Sequence, residues 1–194
     1  MQKILILILC LFLLTSCHRN PSPITGYIPY GEIPADYSLS DAKRDGLVVY
    51  EDSDITAGQP VWDEFVRQAE KGESCAVRLA FYYTLDGQNI DPDYYEEIKD
   101  DYPCLYIQDL SFDGSMYTLF SVEETEEYIS RYQYLKRFEE EAPGDTAAYS
   151  ACVRYVLVND DNVTWEQLIR GMLSSQSGNW IDHKTVYIKY TYKD

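Results

Sequence analysis

The scarcest reactive side chains in this sequence are its thiols and imidazoles: Cys10, Cys17, Cys75, Cys104 and Cys152, with His18 and His183. A thiol beside an imidazole is a nucleophile in waiting, because the ring takes the proton and leaves a thiolate to attack. Cys75 or Cys152 with His183 would supply such a pair. No recognisable turn frames either thiol, however, and His183 falls in a loop before the last predicted strand, where a surface or capping role suits it better. No Cys-x-x-Cys or Cys/His spacing points to zinc. Cys75, Cys104 and Cys152 are odd in number, so at most one disulfide forms among them; each stands near the start of a predicted strand, an ordinary place for a buried free thiol.

Oxygen ligands are plentiful in Asp91-Pro92-Asp93 with Glu96-Glu97, in Asp100-Asp101 and in Asn159-Asp160-Asp161-Asn162. None has the alternating acidic loop that wraps calcium, and Asn and Asp favour turns for local hydrogen-bonding reasons. Carboxylates are too numerous for any two to stand out as the acid and nucleophile of a glycosidase. Tyr94-Tyr95 and Trp180 could form an aromatic platform, although aromatics at this density more often complete a core. Arg78 and Arg154 sit in mid-strand, where each is expected to pair with a carboxylate. The residue types therefore yield no catalytic, cofactor or metal set.

Cys17 stands apart because of what precedes it. Lys3 gives a weakly positive start, and Ile4 to Leu14 are eleven apolar residues without a charge. That run suits the centre of a signal peptide and is too short to span a bilayer core of about 30 Å. It ends in Leu14-Thr15-Ser16-Cys17, which resembles the lipobox of bacterial lipoproteins. The resemblance implies a diacylglyceryl group on the Cys17 thiol and cleavage by signal peptidase II after Ser16. Two acyl chains anchor stably, since each buried methylene contributes about 0.8 kcal/mol.

Charge supports the same location. The chain has a formal net charge of -17, and residues 1–16 carry a single charged side chain, Lys3, so the mature part is more acidic still. Such a surface repels nucleic-acid phosphates and anionic lipid alike, which excludes nucleic-acid binding and leaves lipid as the means of attachment. Residues 18–36 hold Pro21, Pro23, Pro29 and Pro34 with Gly26 and Gly31, a composition that opposes helix and central strand. They read as a tether, with Tyr27 to Tyr30 equally able to pack as an edge strand.

The elements that would position these groups follow from periodicity. Ser38 to Asp41 open a short helix through Arg44 that Gly46 stops, and Leu47 to Tyr50 form a strand. Trp62, Phe65, Val66 and Ala69 predict an amphipathic helix ended by Gly72. Residues 76–84 alternate with Val77, Leu79, Phe81 and Tyr83 on one face, and 91–103 holds a helical turn. Strands 104–112 and 115–121 flank Asp113-Gly114, a two-residue hairpin signal. Ser121 and Glu124 read as the capping box of a long helix to Glu141, stopped by Pro143-Gly144. Val153 to Val158 is a strand, Thr164 and Gln167 cap a helix bearing Trp165, Leu168, Ile169 and Met172, and 184–192 is the last strand.

The expected fold is α+β: one domain with an antiparallel or mixed sheet and about three helices, mainly on one face. Residues 1–16 are the signal peptide, 17–36 the lipidated cysteine and tether, and 37–194 the globular domain. Trp62 to Arg67 echoes Trp165 to Arg170, as a duplicated strand–helix–strand unit would, or as two independent amphipathic helices would.

Asp45-Gly46-Leu47-Val48-Val49, then Trp62 to Phe65, then Val77-Arg78-Leu79 leading to Tyr82-Tyr83-Thr84 resemble a family of small uncharacterised lipoproteins of low-GC Gram-positive bacteria. The resemblance covers residues 38–120. It implies the outer face of the cell membrane and brings no activity with it. Two functions fit: a non-catalytic binding or interaction domain with a protein or cell-envelope partner, which the lack of a catalytic motif favours, or an extracytoplasmic hydrolase using carboxylates or a Cys–His pair.

Overall fold

The computed structural model describes residues 26–52, 54–123, 126–142, 144–174 and 180–193; the expected signal peptide, Cys17 and residues 18–25 of the expected tether lie outside them. The fold is α+β, with nine strands in two sheets and four helices among the described residues. The first sheet is mixed and has the order β2 (Asp54–Ala57), β1 (Val48–Glu51), β3 (Cys75–Tyr83), β4 (Cys104–Phe112), β5 (Tyr117–Glu123), β6 (Glu126–Tyr132). Among the described strands only β1 and β3 pair in parallel, because α2 (Gln59–Glu70) carries the chain across between them. The second sheet is antiparallel, in the order β7 (Tyr134–Glu141), β8 (Tyr149–Val158), β9 (His183–Tyr192).

Alternation along β3 separates two faces of the first sheet. Val77 and Leu79 enter the main core with Val48, Leu110 and Leu119, where Trp62 and Phe65 of α2 meet Leu157 and Val186 of the second sheet. Ala80 and Val49 point the other way, beneath Ala42 of α1 (Leu39–Arg44), Tyr27 and Tyr37. The face toward the second sheet is the inner face, and the opposite one the outer face. α4 (Trp165–Leu173) lies on the far side of the second sheet, with Leu168 and Trp165 against Val156 and Val158. Helices thus cover three surfaces rather than mainly one, since each sheet has an apolar face that the other sheet does not reach. α3 (Pro92–Ile98) contributes no buried residue.

The local signals act as chemistry requires. Ser38 and Asp41 form a reciprocal capping box on α1, and Thr164 and Gln167 do so on α4. Gly58 caps α2 at φ +78°, and a Cβ there would lie 2.3 Å from the Leu47 carbonyl oxygen. Only glycine permits that approach.

Several expectations are corrected. The long helix from Ser121 to Glu141 is instead the end of β5 with β6 and β7. Ser121 sits within β5 opposite Gln108, and the aromatic and β-branched residues Tyr128, Ile129, Tyr132 and Phe138 suit strands, so sheet pairing overrides the local cap. The Asp113-Gly114 hairpin has a four-residue turn, because the Asp113 carboxylate gathers the amides of Ser115 and Met116 at 2.8 Å before pairing resumes at Phe112 and Tyr117. The short strand β2 had no periodic signal. The Trp62 and Trp165 echo joins unlike units, for β1 and β3 pair in parallel and β8 and β9 antiparallel.

The expected tether joins the domain well before residue 37. Arg78 and Asp109 form a buried fork-to-fork pair at 2.6 and 2.8 Å on the outer face. The remaining guanidinium nitrogen, Nη1, donates to the Ile28 carbonyl at 2.6 Å, while the rings of Tyr27 and Tyr30 lie 5.3 and 5.6 Å from the guanidinium carbon. A buried ion pair needs further hydrogen bonds to offset its desolvation, and the Ile28 carbonyl supplies one.

Candidate functional site

Exposed aromatic side chains line a concavity where the two sheets diverge. Phe81 and Tyr83 of β3 stand opposite Tyr106 and Cys104 of β4 on the inner face. Beyond Leu79 the second sheet no longer covers this face, and a groove of about 320 Å³ opens, closed at one side by Lys184 and Thr185 at the start of β9. Phe81 forms its floor and is stacked on Tyr50 at 4.9 Å. Tyr83 and Tyr106 meet edge to face at 6.0 Å and remain 37% and 52% exposed, a large apolar area left in water. Gln108, Ser121 and Glu123 bring amide, hydroxyl and carboxylate to the opposite wall.

Both tyrosines stay protonated well past neutral pH. Burial, then the nearby Cys104 and Asp52, raises Tyr83, and a hydrogen bond with Cys104 leads the causes that raise Tyr106. The groove thus offers ring faces, neutral hydroxyl donors and acceptors, one cation and one anion. That inventory recognises and orients a ligand.

The floor has an unusual construction. The β4–β5 ladder ends at Gln108 opposite Ser121, although β4 remains paired with β3 to Cys104 and β5 with β6 to Glu123. At the next position the Tyr30 hydroxyl enters from the outer face, donates to the Ile107 carbonyl at 2.7 Å and accepts the Val122 amide at 3.3 Å. Its ring packs edge-on against Phe120 at 5.2 Å. Burial holds Tyr30 above its ordinary pKa, so the hydroxyl keeps the proton it donates.

The residues singled out from the sequence are not brought together. Cys152 stands opposite Tyr190 and His183 opposite Val158, so six residues of β8, roughly 20 Å, separate thiol and imidazole. His183 Nδ1 lies 2.7 Å from the Ile181 carbonyl, and its ring lies 5.1 Å from Trp180. Cys75 donates to the Phe65 carbonyl at 3.5 Å, and burial pushes its pKa up to about 11. Burial likewise raises Cys152, which neighbours Glu140 and Arg154. Cys75, Cys104 and Cys152 are all free thiols.

The acidic runs serve turns and caps: Asp91 accepts the amides of Asp93 and Tyr94, and Asp160 accepts that of Asn162. Among the described residues, no cluster of three or more His, Cys, Asp or Glu could hold a metal ion. Tyr94 and Trp180 are exposed, and among the described residues they make no ring contact with each other. Arg154 pairs with Glu140 at 2.8 Å, as Arg78 does with Asp109.

A cleft of about 260 Å³ lies beside α2, between Gln59, Asp63, Arg137 and Lys189. The buried Trp62 lines it with an indole N–H that has no acceptor among the described residues. The Tyr187 hydroxyl donates to Gln59 at 2.8 Å there, and the Gln59 amide donates to Asp63 at 2.7 Å.

Sequence reasoning missed Tyr30, Tyr83, Tyr106 and Lys184 as groove residues. The alternation of 76–84 and 104–112 assigns Tyr83 and Tyr106 to strand faces. The twenty residues between β3 and β4 leave their register open, so nothing in the sequence says that the two rings meet. Comparison with known proteins finds no matching family model, no matching curated protein and no matching solved structure.

Proposed function

We propose that this chain is a lipid-anchored extracytoplasmic protein whose domain binds a cell-envelope or protein ligand without transforming it, and that the groove at Tyr83 and Tyr106 is where the ligand docks. The observation that carries the reading is the exposure of those two rings in a concavity rimmed by hydrogen-bonding groups. Exposed aromatics that have a polar handle and few rotatable bonds are strong anchors for a ligand.

Anchoring rests on the residues before the domain: a charge-free apolar run ending in Leu14-Thr15-Ser16-Cys17. With lipid on Cys17, eleven residue steps separate it from Ile28, whose carbonyl Arg78 holds, and they reach at most about 40 Å. The domain would work close to the bilayer, and its partner would be found there. Among the described residues, no helix is long and apolar enough to cross a membrane.

The test has two arms. Cys17→Ala is expected to accumulate at precursor size without the mass of the lipid; a variant that fractionates with membranes at the normal mature size overturns the anchor. Purified domain is expected to bind isolated cell envelopes, and Tyr83→Ala with Tyr106→Ala to reduce that binding at least about tenfold, as loss of two aromatic anchors should. Undiminished binding by the double variant overturns the groove.

A further inference from the structure

We infer that Tyr30 is a positioning residue of the groove: its hydroxyl holds β4 and β5 apart at Ile107 and Val122, so the segment that precedes the domain sets the shape of the site. The inference rests on the binding reading above only for the groove's use, not for the geometry.

The pairing pattern carries it. Continued by one step, the β4–β5 register would set Val122 opposite Ile107 and let the Val122 amide donate directly to the Ile107 carbonyl. Neither strand stops there, for each keeps its other neighbour. What stops is their mutual pairing, at the position where a tyrosine from 77 residues earlier satisfies the same carbonyl and the same amide. A hydroxyl both donates and accepts, so it relays the bond while inserting an oxygen between the strands. The residues flanking the relay, Tyr106, Gln108, Ser121 and Glu123, are among those that line the groove.

The wedge is itself held. Arg78, fixed by Asp109, grips the Ile28 carbonyl and lies 5.3 and 5.6 Å from the rings of Tyr27 and Tyr30, and Phe120 packs edge-on against the Tyr30 ring. Buried charge in the first sheet thus clamps the segment leading from the expected anchor, and the clamped segment opens the groove on the opposite face. Pulling residues 27–30 away from Arg78 would withdraw the wedge and let the strands close.

Tyr30→Phe tests this, since the phenyl ring keeps its contact with Phe120 and loses only the relay. In the variant the Val122 amide is expected to exchange with deuterium about tenfold more slowly, the order of one direct backbone hydrogen bond. Cross-strand proton contacts are expected to extend from Gln108 and Ser121 to Ile107 and Val122. Tyr27→Phe, which removes a hydroxyl from the same segment, should change neither. Exchange at the wild-type rate or faster in Tyr30→Phe overturns the inference. So does the unaltered protein if it shows Ile107–Val122 cross-strand contacts and none from the Tyr30 ring to the Val122 amide. If the strands close in Tyr30→Phe while envelope binding is unchanged, the positioning role stands and the binding role of the groove falls.

Discussion

At the scale of single residues, Arg78 and Asp109 do the most. Their side chains are 4% and 11% exposed in a protein with about twice as many acidic as basic groups, so neither is at the surface as a matter of solubility. Taking two charges out of water costs several kcal/mol per ion, and the fork geometry with the third bond to Ile28 offsets that cost. Removing one partner leaves the other buried and uncompensated. Arg78→Met is therefore expected to destabilise the domain by about 3–5 kcal/mol, read from the urea midpoint. Arg78→Met with Asp109→Leu should recover most of the loss. It should not recover the order of residues 27–30, which proteolysis would detect. The mid-strand arginine was legible in the sequence as a residue in need of a carboxylate. Which carboxylate it takes depends on the register of β3 with β4, and no local pattern encodes that.

The elements show where local preference decides and where pairing does. α2 begins where it does because Gly58 adopts φ +78° under the Leu47 carbonyl, and this bend brings the helix back over β1 and β3. Gly58→Ala combines a left-handed backbone with a contact no real Cβ makes, and is expected to cost at least about 1–3 kcal/mol of unfolding free energy. Gly46 also has positive φ, but among the described residues nothing lies within 4 Å of a Cβ there. Gly46→Ala should cost less, and comparing the two midpoints separates the clash from the torsion. The capping boxes of α1 and α4 were readable because their partners lie three residues away. The capping pattern at Ser121 and Glu124 pointed to a helix that does not exist. A local cap contributes about 1 kcal/mol, whereas residues 126–132 gain a full antiparallel pairing with β5.

For the molecule as a whole, the tyrosines couple stability to alkaline pH. Burial first, then the Tyr187 charge, raises Tyr50, and burial raises Tyr37 and Tyr117 to about 12 against an ordinary value of 10. Tyr27, Tyr30, Tyr132, Tyr155 and Tyr187 shift the same way, each chiefly through burial. Between about pH 10 and 12 the unfolded chain has lost phenolic protons that the native state keeps, so ΔG of unfolding falls as pH rises. The contribution is complete below pH 10 and lost as pH passes the folded values. Absorbance titration at 295 nm should resolve an early class of exposed tyrosines and a late class that ionises together with loss of near-ultraviolet circular dichroism. A single class near pH 10, with tertiary signal retained to pH 12, would contradict the burial of these rings.

By itself the sequence determined the location of most helices and strands, the α+β class and the acidic surface. It did so because capping, glycine stops and alternation act over a few residues. The expectation of a lipid on Cys17 rests on sequence alone, since residues 1–25 lie outside the described structure. Tertiary structure decided the rest: the conversion of 126–141 to strands, the recruitment of residues 27–30 into the domain, and the meeting of Tyr83 with Tyr106. Each of these depends on contacts between segments far apart in the chain. Tyr30 reaches Val122 across 92 positions, and the energy that holds it there appears only once β4 and β5 lie side by side.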